Sequence, residues 1–297
     1  MKRPSVTEAA VAAVLAVLLA APAAARVVEE EFDLPVTVRD GYGKAIAQPI
    51  RITVFRDDAA SGPRPLAIIN HGRAAEAAER AAMGRARYST ASRWFVAQGF
   101  VVALPTRIGY GVSGGEDVEE TGSCANKRYA PGYAAAAQET LALLRHMQQR
   151  DYVLPERTLV VGQSFGGATA IAVAAAAPAG VAAAINFAGG GGGQPKTHPG
   201  SSCAPHLMQR LYADYGRSAR LPTLWLYAVN DRYFGSEYPR RWFEAFREAG
   251  GQGEFVEFPP VGEDGHSTFS ASPATWQPVV AEFLRRQSYP VAAEAAK

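Results

Sequence analysis

Short apolar segments alternate with longer amphipathic segments through most of the chain, and this alternation constrains the fold more than any other feature. Most of the apolar segments are uninterrupted, as expected for strands that are buried on both faces of a sheet. The predicted strands are Leu66–Ile69, Phe100–Leu104, Thr158–Val161, Val181–Phe187, Pro222–Val229 and Glu254–Phe258. The predicted helices are Tyr88–Gln98, Tyr133–Arg150, Ser164–Ala177, Glu237–Ala249 and Pro273–Arg286. Because such alternation forms right-handed βαβ units, the sequence predicts an α/β fold with a mostly parallel sheet and helices on both faces.

Two further strands are predicted before this alternation begins, at Val27–Arg39 and Ile50–Phe55. The turn residues Asp40-Gly41-Tyr42-Gly43 lie between them, so we expect the two strands to be antiparallel members of a mixed sheet. The longest insertion between strands, Ala188–Leu221, has room for one helix. It is too short for an elaborate lid, so the prediction is a fold with a small lid or none.

The first 25 residues have the pattern of an export signal. Lys2 and Arg3 precede an uncharged apolar run from Ala9 to Ala21, which is short for a membrane span. The small residues Ala23–Ala25 then offer a cleavage site, so residues 1–25 are predicted to be a secretory signal peptide, with a retained signal anchor as the alternative. Residues 26–289 are assigned to one α/β domain and residues 290–297 to a disordered tail. The expected location is secreted or periplasmic, without a membrane span after cleavage.

The charge balance bears on whether the protein binds nucleic acid. The chain has 30 Lys and Arg residues against 28 Asp and Glu residues, a formal net charge of +2. This near balance gives no electrostatic reason to expect a nucleic-acid partner.

The two cysteines, Cys124 and Cys203, suggest a disulfide if the chain is exported. Two unpaired thiols remain the alternative at this stage, because sequence alone does not give their separation. Two cysteines without suitably spaced histidines make a poor zinc site, so no metal and no cofactor are expected.

A G-x-S-x-G motif is formed by Gly162-Gln163-Ser164-Phe165-Gly166, between a predicted strand and a predicted helix. In that context the motif is typical of a sharp turn that lifts a serine hydroxyl above the sheet. The sequence therefore predicts Ser164 as a nucleophile.

A serine nucleophile needs a base and an acid that orients the base, and after such a turn they follow in the order acid, then histidine. His266 is the only one of the five histidines that follows the last predicted strands. The predicted strand Pro222–Val229 runs directly into Asn230-Asp231, where the Asp231 carboxylate can accept the imidazole Nδ1 proton. Asp264, only two residues before His266, is a weaker candidate. The predicted triad is thus Ser164, Asp231 and His266.

The oxyanion of an acyl-transfer intermediate needs backbone N–H donors. The N–H of Phe165, directly after the nucleophile, is one predicted donor. The loop Asn70-His71-Gly72-Arg73 follows a predicted strand, and from it we assign the Arg73 N–H as the second donor. His71 is interpreted as a support of this loop.

The sequence resembles the dienelactone-hydrolase-like family of α/β-hydrolases. The resemblance is carried by Asn70-His71-Gly72, the G-x-S-x-G motif at Ser164, the strand Leu224–Ala228 with Asp231, and Asp264-Gly265-His266. The resemblance spans about Leu66 to Arg286. It implies an α/β-hydrolase fold and metal-free hydrolysis of small ester substrates. True dienelactone hydrolases are known for a cysteine nucleophile, and Ser164 in that position favours a general carboxylesterase.

Other residues and other functions remain open at this stage. Arg107, Tyr110 and Tyr233 follow strand ends and are predicted to border the substrate pocket. A serine peptidase or an acyltransferase would use the same triad, and a non-catalytic binding protein on the same fold is a further alternative.

Overall fold

The computed structural model describes residues 26–291, and within them the central feature is an eight-stranded mixed sheet with a separate two-stranded hairpin. The strands in chain order are β1 (Val27–Arg39), β2 (Ala45–Asp57), β3 (Arg64–Asn70), β4 (Val101–Thr106), β5 (Val153–Gln163), β6 (Val181–Phe187), β7 (Gly193–Gln194), β8 (His198–Ser202), β9 (Thr223–Ala228) and β10 (Gly253–Phe258). The helices are α1 (Ala77–Ala81), α2 (Ser89–Ala97), α3 (Tyr129–Met147), α4 (Phe165–Ala175), α5 (Pro205–Gly216), α6 (Glu237–Glu248), α7 (Thr268–Ala271) and α8 (Pro273–Arg286).

The sheet has the order β1-β2-β4-β3-β5-β6-β9-β10. The pairs β1–β2 and β2–β4 are antiparallel, whereas every later neighbouring pair is parallel. This arrangement confirms the predicted mixed, mostly parallel sheet with two antiparallel strands at its beginning. Because β5, β6 and β9 are parallel neighbours, the loops after their carboxyl ends meet at one edge of the sheet.

Alternate residues of the central strands enter two separate hydrophobic layers, as the period of two along a strand requires. In β3, Leu66 and Ile68 pack into one layer and Ala67 and Ile69 into the other. Helices α3 to α6 contribute to the first layer, and α2, α7 and α8 contribute to the second. The prediction of helices on both faces is therefore confirmed.

The insertion between β6 and β9 differs most from its predicted form. It contains the expected helix, α5, and also the short hairpin formed by β7 and β8. The hairpin strands consist of Gly, Gln, His, Pro and Ser residues, which have no apolar alternation, so sequence periodicity could not indicate them.

The predicted signal peptide, residues 1–25, and residues 292–297 of the predicted tail lie outside the described residues. Within residues 26–291 no helix is both long and apolar enough to cross a bilayer.

Candidate active site

Ser164 lies in the tight turn between β5 and α4, with backbone angles φ 58° and ψ −124°. A non-glycine residue rarely adopts this conformation, and such strain is typical of a nucleophile on a strand-to-helix turn. The turn is attached to the neighbouring strand because the Ser164 N–H donates to the Phe187 carbonyl over 2.8 Å. The structure therefore places Ser164 where the motif predicts it.

The glycines of the motif make this turn possible. A Cβ atom added to Gly162 would collide with the Gly166 backbone, and one added to Gly166 would collide with the Asn70 backbone. The helix thus begins in close contact with the end of β3. Glycine is required at these positions because the backbones approach each other too closely for any side chain.

Asp231 lies in the turn that follows β9, at the same edge of the sheet as Ser164. Its Oδ1 atom accepts the backbone N–H of Tyr233 over 2.7 Å and that of Phe234 over 3.0 Å. The side chain is buried. These two donors fix the orientation of the carboxylate before it meets the histidine.

His266 lies in the loop between β10 and α7, and its Nδ1 atom is 3.0 Å from Oδ2 and 3.2 Å from Oδ1 of Asp231. Since a carboxylate can only accept, Nδ1 is the donor in the neutral imidazole, and Nε2 is left with a free lone pair. The structure thus brings together the predicted acid and the predicted base in the contact that orients an imidazole for general-base catalysis.

Asp264 joins the two loops that carry the acid and the base. Its Oδ1 atom accepts the N–H of His266 and the N–H of Arg232, each over 3.0 Å. The side chain of Gln163 also reaches this loop, because its Nε2 atom donates to the His266 carbonyl over 3.1 Å. Asp264 therefore positions the histidine loop, whereas Asp231 contacts the imidazole itself.

The oxyanion loop is held by a neutral histidine. The Nδ1–H of His71 donates to the Gly72 carbonyl over 2.7 Å, and its Nε2 atom accepts the Arg107 N–H over 3.2 Å. Burial keeps the pKa of His71 well below its usual range, and the nearby Arg107 charge lowers it further. Because the Gly72–Arg73 peptide is trans, its N–H points away from the His71 ring.

This peptide lies beside the nucleophile, since a Cβ atom built on Gly72 would be 3.2 Å from the Ser164 Cβ atom. The Gly72 N–H already faces the Tyr88 hydroxyl at 3.4 Å, which leaves the Arg73 N–H as the donor available from this loop. Phe165 is the first residue of α4, so its N–H has no acceptor within the helix. The two sequence-predicted oxyanion donors thus belong to segments that flank Ser164.

Arg107 and Tyr110 do not border the pocket as the sequence predicts, because both side chains are fully buried behind the oxyanion loop. Arg107 forms an ion pair with Glu119, and the Tyr110 hydroxyl donates to Glu119 over 2.5 Å. A buried guanidinium needs a paired charge, and the sequence did not reveal that Glu119 supplies it. Arg73 extends this network through two hydrogen bonds to Asp117, of 2.8 and 2.6 Å.

A cavity of about 600 Å³ opens beside the nucleophile. Ser164, Phe165 and Arg73 line it on one side, and Tyr233, Phe234 and the glycine run Gly190–Gly193 line it on another. Of the three sequence-predicted pocket residues, Tyr233 therefore lies on the cavity wall. Within residues 26–291, no group of three or more His, Cys, Asp or Glu side chains is arranged to hold a metal ion.

The predicted disulfide between Cys124 and Cys203 is present, with a Cα–Cα distance of 5.2 Å. Both cysteines line the cavity, so the bond joins two segments of its wall. The Tyr129 hydroxyl donates to the Cys203 carbonyl and fastens this segment to α3.

The glycine run is packed rather than loose, which its composition did not indicate. A Cβ atom at Gly190 would lie 2.5 Å from Trp242, and one at Gly193 would lie 2.7 Å from the Tyr233 Cβ atom.

The sequence did not indicate that the side chains of Asp264 and Gln163 hold the His266 loop by hydrogen bonds. The sequence shows only that Asp264 is near His266 and that Gln163 is next to Ser164. Such proximity does not distinguish a side chain that hydrogen-bonds to a loop from one that is exposed to solvent.

Comparison with known proteins bears on the family and the fold. The model of the Dienelactone hydrolase family matches residues 81–287, which is more than half of the chain. No curated protein matches the chain.

Three solved structures illustrate the likeness of fold. The chain is similar to P91, a dienelactone hydrolase-like promiscuous phosphotriesterase from metagenomic libraries, with 16% identity, a TM-score of 0.55 and coverage of 88% of this chain and 99% of P91. An acetyl xylan esterase from Paenibacillus sp. R4 has 14% identity, a TM-score of 0.58 and coverage of 89% of each chain. An acylaminoacyl peptidase from Pyrococcus horikoshii has 11% identity, a TM-score of 0.59 and coverage of 91% of this chain but 43% of the peptidase. The predicted α/β-hydrolase fold is confirmed.

Proposed function

Because this chain belongs to the dienelactone hydrolase family, we propose that it is a serine hydrolase that cleaves carboxylic esters through an acyl-enzyme. The observation that carries the proposal is the buried pair of Asp231 and His266, at 3.0 Å, whose histidine loop accepts a hydrogen bond from Gln163, the residue before the strained Ser164. Together they supply a nucleophile, a base and a group that orients the base.

In the proposed reaction the Ser164 hydroxyl oxygen attacks the ester carbonyl carbon while Nε2 of His266 takes the hydroxyl proton. The N–H groups of Phe165 and Arg73 stabilise the resulting oxyanion. Collapse of the intermediate breaks the bond to the alcohol oxygen, which receives the proton from His266. A water molecule then attacks the acyl-enzyme by the same steps and releases the acid, so the serine and the histidine return to their initial states.

The proposed substrates are small to medium esters. A cavity of about 600 Å³ matches the size range of pockets for small molecules. Its wall combines the aromatic rings of Phe165 and Tyr233 with charged side chains such as Arg73. Ser164 in place of a cysteine favours a general carboxylesterase over a dienelactone substrate.

A serine peptidase or an acyltransferase is the second candidate, because the same triad serves amide cleavage and acyl transfer. The likeness to an acylaminoacyl peptidase supports this alternative, although the chain covers only 43% of that protein. A non-catalytic binding protein is a third candidate, and the combination of nucleophile, acid, base and oxyanion donors argues against it.

We further propose that the protein acts outside the reducing cytoplasm, in the periplasm or after secretion. The bond between Cys124 and Cys203 supports this location, because disulfides persist in oxidising compartments. The apolar pattern of residues 1–25 supports it independently.

Two measurements test the proposed activity. A fluorophosphonate probe should label wild-type protein at Ser164 and should not label Ser164→Ala, which would distinguish an enzyme from a binding protein. A panel of p-nitrophenyl esters and peptide anilides should show faster turnover of the esters. Preferential anilide cleavage would support the peptidase instead, and no labelling by the probe would contradict all the enzyme candidates.

A further inference from the structure

The aromatic ring of Tyr233 lies flat against the imidazole of His266. The two ring centroids are 3.9 Å apart and the planes are inclined by 21°. The ring of Phe234 is nearly perpendicular to the same imidazole, with centroids 5.2 Å apart and an angle of 77°. The candidate base is therefore stacked on one aromatic ring and steeply inclined to a second.

Tyr233 is held in this place from two directions. Its backbone N–H donates to Oδ1 of Asp231 over 2.7 Å, so one short turn carries both the acid and the stacked ring. On the side of the insertion, Gly193 packs so closely that a Cβ atom there would lie 2.7 Å from the Tyr233 Cβ atom. The neighbouring N–H of Gly200 donates to the Arg232 carbonyl over 2.6 Å, which ties the hairpin of β7 and β8 to this turn.

The hydroxyl of Tyr233 does not explain this packing. Within residues 26–291 it makes no hydrogen bond to a protein group, and the residue is partly exposed on the cavity wall. Burial raises the pKa of the phenol, and the charges of Asp264, Glu79 and Asp231 raise it further, so the ring stays neutral. The contact that Tyr233 makes with the site is the face of its π system.

We propose that Tyr233 is a positioning residue whose ring face holds the His266 imidazole in plane and stabilises the imidazolium that forms in the transition state. The proposal rests on the proposed serine-hydrolase function. When Ser164 transfers its proton to Nε2, the imidazole becomes a cation beside the electron-rich face of Tyr233. Asp231 stabilises the same charge from the edge of the ring, at Nδ1, so the two groups act on different sides of the imidazole.

This role predicts a loss in kcat more than in KM, because the interaction strengthens only when the imidazole becomes charged. The strengths known for cation–π pairs correspond to a rate change of about 2- to 30-fold. A residue that merely lined the pocket would instead change KM.

The first test compares Tyr233→Phe with Tyr233→Leu on p-nitrophenyl acetate. Leu removes the ring face, so kcat should fall by about 10-fold with little change in KM, while Phe should retain most of the rate that Leu loses. Tyr238→Leu is the matched control, because it removes a ring that stacks on Trp242 rather than on His266. Equal kcat values for the Leu variant at position 233 and the wild type would overturn the proposal.

The second test separates ring electronics from ring shape. Phenylalanine analogues with increasing numbers of fluorine atoms, introduced at position 233, withdraw charge from the ring face while preserving its size. The rate should decrease step by step along this series if the face stabilises an imidazolium. The same rate for every analogue would show that the electrostatic contribution is absent and would overturn the proposal.

A third measurement tests the role of Tyr233 separately from the proposed serine-hydrolase function. The rate of Ser164 labelling by a fluorophosphonate depends on the same base, so the variants can be ranked even if p-nitrophenyl acetate is a poor substrate. Wild-type protein that resists labelling would contradict the proposed function. Wild-type protein that labels, together with a Tyr233→Leu variant that labels equally fast, would contradict only the role of Tyr233.

Discussion

The catalytic turns and the outer cavity wall are built by different means, although they face the same space. Ser164 directly follows β5 and Asp231 lies three residues after the end of β9, and short hydrogen bonds from backbone N–H groups fix both turns. The outer wall is formed by the loops around Cys124 and Cys203, which lie in long connections between strands of the sheet. The disulfide between these two residues joins the loops. Position in the first region depends on the sheet, and position in the second depends on a covalent link.

This difference predicts two kinds of defect. Substitutions of the catalytic side chains on these turns should remove activity while the sheet, and therefore the fold, persists. Substitutions in the wall should lower stability and change selectivity while the triad persists. Substitutions in the buried network of Arg107 and Glu119 should affect both activity and stability. The network lies behind the oxyanion loop and also contributes to the packed interior.

The largest expected effect is that of Ser164→Ala, which should abolish ester hydrolysis and leave the melting temperature nearly unchanged. The alanine side chain fits the same strained turn, so the expected loss concerns chemistry alone. His266→Ala should be almost as inactive, and the double variant no worse, because nucleophile and base act as one unit. Circular dichroism and steady-state kinetics check this, and substantial turnover by the Ser164 variant would exclude it as the nucleophile.

Asp231→Asn should lower kcat by up to about 10⁴-fold, as the corresponding change does in serine proteases, because the amide favours the wrong imidazole tautomer. Asp264→Asn is the matched control on the same pair of loops. Within residues 26–291 the donors to Asp264 are backbone N–H groups, and the asparagine variant keeps an accepting oxygen, so we expect a loss of about 10-fold or less. A nearly active Asp231 variant beside an inactive Asp264 variant would reverse the two assignments.

On the cavity wall, replacing Cys124 and Cys203 together by serine should lower stability rather than remove activity. The bond spans 79 residues, for which loop-closure entropy predicts about 4–5 kcal/mol of stabilisation. For a chain of this size we expect a decrease in melting temperature of roughly 10 °C, with measurable ester hydrolysis retained. Calorimetry of the oxidised protein and the double variant tests this, and equal melting temperatures would show that hydrogen bonds such as that from Tyr129 suffice.

The sequence predicted the parts of the molecule that depend on local pattern. Hydrophobic periodicity located the main strands of the sheet and the helices that pack on it. For β1 (Val27–Arg39) and β6 (Val181–Phe187) the predicted bounds equal the observed ones. The strand-to-helix context of the G-x-S-x-G motif correctly indicated a sharp turn at Ser164. The disulfide was suggested by the even number of cysteines and by the expected export of the chain to an oxidising compartment.

The sequence did not predict contacts whose partners lie far apart in the chain. Arg107 resembles a pocket residue until Glu119 is known to neutralise it, and the glycine run resembles a flexible linker until Trp242 is known to fill the space beside it. The stacking of Tyr233 on His266 likewise joins two loops separated by a strand and a helix. Such pairings are determined by tertiary packing, which no local pattern encodes.

The smallest expected effect concerns His71, which is buried and neutral behind the oxyanion loop. Burial, aided by the nearby charge of Arg107, lowers its pKa in the folded state, whereas the unfolded chain binds a proton below about pH 6.5. The unfolded state then holds more protons than the folded state, so this residue makes stability fall as the pH decreases through that range. Above about pH 7 the destabilising contribution is absent.

His71→Asn should remove this part of the pH dependence. The asparagine amide can still donate to the Gly72 carbonyl, but it does not titrate, so the free energy of unfolding should fall less between pH 7 and pH 5 than in the wild type. At 1.36 kcal/mol for each pH unit, the decreases in unfolding free energy of the two proteins between pH 7 and pH 5 should differ by at most about 2 kcal/mol. Urea unfolding at three pH values measures it, with all other titrating groups shared by both proteins. Identical slopes would mean that His71 takes up a proton in the folded state as readily as in the unfolded chain, which is incompatible with an Nε2 atom that keeps accepting the Arg107 N–H down to pH 5.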